Sequence, residues 1–149
     1  TRRQGFSGNA NWKAIAKIKK SLDIPIIANG DIKNSQDAID CLEITNADGV
    51  MIGRASMGAP WLVGQIDAEI KNQKTFKPPD AKMKVSLSLE HLKILLSKKG
   101  NHGLLIARKH MNWTCRGFEG ASTLRHRLMR ASTPNDAIKL LEEELIKFN

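Results

Sequence analysis

The sequence predicts an α/β segment followed by an all-α unit, and three observations carry that reading. Two short apolar runs, IPIIA and DGVMI, alternate with helical patterns of 10–12 residues, the βα order that builds a parallel sheet. A Pro78-Pro79 pair then interrupts the chain. Beyond it, every periodic stretch is helical.

The elements follow in order. Gly5, Ser7, Gly8 and Asn9 read as a loop. Asn11 is placed to cap a helix over 12–22, whose Trp12, Ile15, Ala16, Ile18 and Leu22 lie on or near one face. Asp23 and Pro25 separate it from a strand at 24–28 that is apolar on both faces, as in parallel strands covered by helices. Asn34 or Ser35 starts a second helix, 35–45, and a second strand, 48–52, ends at Gly53. A third helix spans about 60–72. Lys74 to Asp80 is a linker, because Pro78 and Pro79 block helix and bias Lys77 to an extended form. Helices are expected at 81–99, 104–116, 120–131 and 134–147, with Gly100, Gly103, Gly117 and Gly120 at the joins. Thr133 caps the last, and Pro134 suits its first turn. The expected division is residues 1–77 and residues 78–149.

Charge separates the same two parts. The chain of 149 residues carries a net charge of +9. Between Ala81 and Ala131 lie 11 Lys or Arg and two acids, Glu90 and Glu119, so 11 − 2 accounts for all of it. A phosphate-rich polymer is the natural partner of such a surface, and a solvated lysine-rich face is the competing reading. No apolar run approaches the roughly 20 residues of a membrane span, and the first ten residues lack the apolar core of a signal peptide. Cys41 and Cys115 are far apart and match no metal spacing, which points to a reducing, cytoplasmic setting.

Both strands end in polar, glycine-bearing loops, Asn29-Gly30-Asp31 and Gly53-Arg54. The carboxyl edge of a parallel sheet is where α/β folds bind ligands. Without a Cβ, Gly30 and Gly53 let backbone N–H groups approach a phosphate, and Arg54 offers a planar fork to grip it. The helix that follows adds a positive N-terminal end. Two ordinary tight turns are the alternative. There is no GxGxxG or Walker sequence, and His91, His102, His110 and His126 have no metal-ligand spacing.

TRRQGFSGNANW (1–12), PIIANGDI (25–32), ADGVMIGRASMGAPWL (47–62) and ARKHMNWTCRGFEGASTLR (107–125) occur in this order. Together they resemble the tRNA-dihydrouridine synthase family. That resemblance implies the C-terminal strands and helices of a TIM (β/α)₈ barrel that binds FMN, followed by a helical-bundle domain that binds tRNA. It implies reduction of tRNA uridine to 5,6-dihydrouridine, with NADPH as hydride donor, by a cytoplasmic protein that is a monomer at full length and needs no metal. Asn29, Gly30 and Asp31 match the family's first FMN phosphate loop, and Gly53 and Arg54 its second. Arg108, Lys109, Arg116 and Arg125 become phosphate contacts for tRNA, with Arg108 and Lys109 serving adjacent parts of one face. His110 and Trp113 are placed to bond or stack against RNA, core packing being the other reading of Trp113.

The same pattern exposes departures. Thr1 aligns with the end of a His-Gly-Arg-Thr motif, so that histidine, the flavin-contacting lysine and the catalytic cysteine are expected upstream. Neither Cys41 nor Cys115 carries the Asn-x-Gly-Cys-Pro context, so no catalytic residue is assigned in this chain. Two strands do not close a barrel, and the 149 residues alone are expected to hold FMN poorly and not to reduce uridine. Phe6 and Thr114 stand where the family often has tyrosine. The alternatives are a degenerate remnant acting only as an RNA-binding helical module, or another FMN barrel related to dihydroorotate dehydrogenase. The basic helical part and ARKHMNW argue against the last.

Overall fold

A computed structural model describes residues 5, 7–71 and 76–148. The readings of Thr1, Phe6, Lys74 and Thr75 lie outside the described residues, whereas the third helix, expected over about 60–72, runs from Leu62 to Ile70 and is closed by Lys71, whose N–H donates to the Asp67 carbonyl. The chain packs as two compact units. One comprises the residues up to Ser56 with Pro60–Phe76, the other Met57–Ala59 with the residues from Lys77 onward.

The first unit runs α1 (Trp12–Ser21), β1 (Ile27–Asn29), α2 (Ser35–Thr45), β2 (Gly49–Met51), a 3₁₀ turn (Arg54–Ser56) and α3 (Leu62–Ile70). Asn11 caps α1 by accepting from the Ala14 N–H, and Asn34 caps α2 by accepting from that of Asp37. The strands pair in parallel, with Ile27 opposite Gly49, Ala28 opposite Val50 and Asn29 opposite Met51. The first strand starts later than its apolar run because Asp48 intervenes: its carboxylate accepts from the Ile26 N–H at 2.6 Å, and its own N–H donates to the Ile26 carbonyl. The expected two-sided burial is not observed among the described residues. Ala28 is fully buried with Ala38, Cys41 and Ile66, whereas Ile27 and Met51, on the opposite face, are 58% and 49% exposed. α2 is the centre of this unit, touching both strands and both neighbouring helices.

The second unit is α4 (Ala81–Lys99), α5 (His102–Thr114), α6 (Ala121–Arg130) and α7 (Pro134–Ile146). Asp80 caps α4, and Thr133 with Asp136 forms a reciprocal capping box on α7. α5 starts two residues before its expected place, because Gly100 takes φ +56 and its carbonyl accepts from the Gly103 N–H, turning the chain at once into the next helix. Val85 and Leu92 of α4, Leu104, Ala107 and Met111 of α5, Leu124 and Leu128 of α6, and Ala137 and Leu141 of α7 form one core. Their spacing of three, four and seven residues is that of helical apolar stripes, and each buried leucine contributes about 1.5–3 kcal/mol. Gly103 sets the closeness of α4 and α5, since a Cβ there would stand 2.6 Å from the Leu95 carbonyl oxygen. In the same unit Gly58, at φ +79, lies directly against the Trp113 backbone.

Candidate functional site

The first candidate lies wholly in the α/β unit, where three loops meet at the carboxyl ends of the strands. Residues 7–10, 29–33 and 53–55 bound a cleft of about 940 Å³. Gly30 leaves β1 with φ +132, a conformation open to glycine, and a Cβ there would fall 2.5 Å from the Ala10 Cβ. The loop before α1 therefore sits on Gly30. It is also bonded there: Trp12 Nε1 donates to the Gly30 carbonyl at 3.0 Å, and the Ala10 N–H donates to Asp31 Oδ2 at 2.6 Å. Asp31 is itself left-handed, at φ +56, which a short polar side chain tolerates. Its other oxygen faces Arg54 Nη2 at 3.4 Å.

The Asp31 carboxylate thus holds two loops and orients Arg54. A negative side chain would not itself grip a phosphate, so the anion-binding capacity rests on Arg54, whose side chain is 59% exposed. The 3₁₀ turn presents that arginine, since both the N–H and the hydroxyl of Ser56 donate to the Gly53 carbonyl. Gly53 has an ordinary φ, and a Cβ there would meet nothing closer than Asn29 Oδ1 at 3.9 Å. Its missing side chain leaves open space in the cleft. The α2 N-terminus contributes less than its position suggests. Asn34 caps it, and the Asp37 carboxylate occupies its first turn while accepting from the Lys33 N–H. Ala10 and Trp12 were not assigned from sequence as loop anchors, because nothing local marks a contact reaching 18 to 21 residues ahead.

The second candidate is the basic surface of the helical unit. Three of its arginines are engaged with the protein's own backbone. Arg108 Nη2 donates to the Ala131 carbonyl at 2.9 Å, and its Nε is buried without a partner among the described residues. Arg116 Nε donates to the Asn112 carbonyl, and Arg125 Nη1 to the Cys115 carbonyl at 2.8 Å. These groups lend charge to the surface while bracing helix ends. Arg108 is half-buried and Lys109 exposed. Successive helical residues point about 100° apart.

Lys109 instead places its ammonium 5.9 Å from the centre of the Trp113 ring. His110 stands edge-on to Trp113 at 5.5 Å and tilted against His91 of α4 at 4.9 Å. Burial, reinforced by the positive charges of His91 and Lys109, holds the His110 imidazole below its usual pKa. His91 escaped sequence reasoning because its partner lies on another helix. Cys41 and Cys115 are both buried, and that burial pushes both thiols upward in pKa. Neither has the depressed pKa of an activated nucleophile. Among the described residues no cluster of three metal-ligating side chains occurs, and no helix is long and apolar enough to cross a membrane.

Two parallel strands with a cleft at their carboxyl ends place this chain in the α/β class and the candidate site at the edge where such folds bind ligands. The model of the dihydrouridine synthase (Dus) family matches residues 1–149. A Synechocystis protein named probable tRNA-dihydrouridine synthase 1 is 45% identical over 145 residues, 97% of this chain and 41% of its own length. A Rickettsia bellii protein named probable tRNA-dihydrouridine synthase is 41% identical over 84% of this chain and 39% of its own. The tRNA-dihydrouridine synthase B of Xanthomonas axonopodis pv. citri is 37% identical over 96% and 43%. The chain belongs to the dihydrouridine synthase family, and it spans about two fifths of the length of these relatives.

Proposed function

We propose that this chain is the C-terminal portion of a flavin-dependent tRNA-dihydrouridine synthase. Its α/β unit supplies the last strands and helices of a (β/α)₈ barrel and the phosphate end of an FMN site. Its helical unit docks tRNA. The observation that carries the reading is the cleft where the Asn29–Asp31 and Gly53–Arg54 loops converge beside residues 7–10. The residues fit the phosphate. Arg54 offers an exposed guanidinium, the empty Cβ position of Gly53 leaves room, and the Asp31 carboxylate is tied to the Ala10 N–H at 2.6 Å while its contact with Arg54 is a longer 3.4 Å.

When bound, FMN would carry hydride to the uracil ring after reduction by NADPH; this chain's residues hold and orient its phosphate. The family resemblance implies a cysteine as proton donor, and neither Cys41 nor Cys115, both buried, is assigned that role. The fragment alone is then inactive. The full-length protein is a cytoplasmic monomer with no metal requirement. The second reading, an RNA-binding helical module without chemistry, draws on the helical unit's own apolar core and on the basic charge between Ala81 and Ala131.

Titrating the 149-residue chain with FMN and with riboflavin separates the phosphate from the ring. FMN is expected to bind more tightly, and Arg54→Ala to erase the difference. The charge-assisted bonds at stake are worth about 1.5–3 kcal/mol, roughly 10- to 150-fold. Equal affinity for the two flavins would remove the phosphate site from this cleft.

A further inference from the structure

We propose that His91, Lys109, His110 and Trp113 form a platform on which an unpaired base of tRNA stacks, with Lys109 taking the adjoining phosphate. The proposal rests on the reading that the helical unit docks tRNA, and names where a base is received.

Three observations carry it. First, the rings are contiguous: His91 to His110 at 4.9 Å and 59°, His110 to Trp113 at 5.5 Å and near-perpendicular. Tilted rings of this kind offer both a face and an edge to a planar guest. Second, His91 is exposed, His110 and Trp113 are only half-buried, and neither imidazole forms a hydrogen bond among the described residues. Both rings are open to solvent, so a base edge can replace water at their nitrogens without breaking a bond within the protein. Third, the charge is right for RNA and distributed unequally. Arg108, Arg116 and Arg125 are bonded to carbonyls, and Arg127 and Lys93 pair with Glu143 and Glu142. Lys109 is exposed and its ammonium stands beside an indole, the arrangement that binds phosphate next to a stacked base. The depressed pKa of His110 keeps its ring neutral at neutral pH, so stacking does not require burying a charge. Single-stranded loops, whose bases can splay out, are the RNA elements such a site accepts; paired helices are not.

The test measures binding of the 149-residue chain, at one fixed salt concentration, to a tRNA transcript and to a fully paired RNA duplex. Wild type should prefer tRNA. His91→Ala/His110→Ala should weaken tRNA binding about 5- to 30-fold, the lower part of the range for losing one base–aromatic stack. Duplex binding should be unchanged, and far-UV circular dichroism matching wild type shows that the variant folds. His91→Phe/His110→Phe should restore most of the loss, because it returns the ring faces. Equal weakening toward both RNAs, or none toward either, overturns the platform while leaving tRNA docking in place. A wild-type chain that shows no preference for tRNA overturns the docking reading itself, before any variant is compared.

Discussion

Gly30 and Gly53 sit in the same cleft, yet the fold requires only one of them, and alanine at each position separates structure from ligand binding. At Gly30 an L-residue must hold φ +132, which costs about 1–3 kcal/mol. Its methyl would also stand 2.5 Å from the Ala10 Cβ, so the loop before α1 must retreat. Retreat strains or breaks the Ala10 bond to the Asp31 carboxylate and the Trp12 bond to the Gly30 carbonyl. The first is charge-assisted, worth about 1.5–3 kcal/mol, and the second about 1 kcal/mol. Whichever partner yields, Gly30→Ala should destabilise the α/β unit by about 2–5 kcal/mol. Gly53→Ala meets ordinary φ and open space, so its stability should stay within about 0.5 kcal/mol of wild type. Its methyl nevertheless enters the cleft and should weaken FMN binding. Urea unfolding followed by tryptophan emission in a Trp113→Phe background, where Trp12 and Trp61 of the α/β unit report, gives the stabilities; flavin titration gives the affinities. With slopes of about 1–3 kcal/mol per molar, the Gly30→Ala midpoint should fall by about 1 M or more. Equal midpoints for the two variants would refute the assignment of Gly30 as the loop contact.

Two further outcomes follow from the helical unit. Gly103→Ala gains at most about 1 kcal/mol of helix propensity, but its methyl meets the Leu95 backbone at 2.6 Å, where overpacking costs about 1–3 kcal/mol or more. The urea midpoint should therefore fall; a rise would mean the two helices can separate freely. His110 is held below its ordinary pKa of 6.5 by burial and by the charges of His91 and Lys109. The unfolded chain then takes up the proton first as pH falls through 6.5, and folding stability declines until the folded ring also protonates. His110→Gln should flatten this part of the stability–pH curve relative to wild type, and parallel curves would refute it.

Local chemistry made much of this architecture readable. Asn11, Asn34 and Thr133 announce helices because a cap needs only residues three positions away, and all three caps form. The helix over 81–99 matches α4 at both ends because Asp80 and Gly100 bound it. The misplaced start of α5 and the late start of β1 arise from less local causes: a turn through Gly100, and a carboxylate at Asp48 that reaches across to Ile26. The same distinction governs the site. The residue types in Asn29-Gly30-Asp31 and Gly53-Arg54 are visible in the sequence, whereas the seat of Ala10 on Gly30 depends on a contact 20 residues away. On α5 and α6, charge can be counted in sequence. That Arg108 and Arg125 point into backbone carbonyls, and that His91 meets His110, emerges only when helices pack.

The turn after β1 shows how little freedom three adjacent positions can retain. Asn29 must complete the strand ladder opposite Met51 while keeping its side chain near Gly53. Position 30 admits no side chain at all. Position 31 needs a backbone that glycine, asparagine or aspartate can adopt, together with a charge that only aspartate supplies against Arg54. Asparagine there would keep the shape and surrender the ion pair; glycine would keep the shape and surrender the Ala10 tether as well. The preference at position 31 thus narrows to aspartate through two requirements together, the backbone conformation and the acceptor for Ala10, with the exposed pair to Arg54 adding at most about 1 kcal/mol.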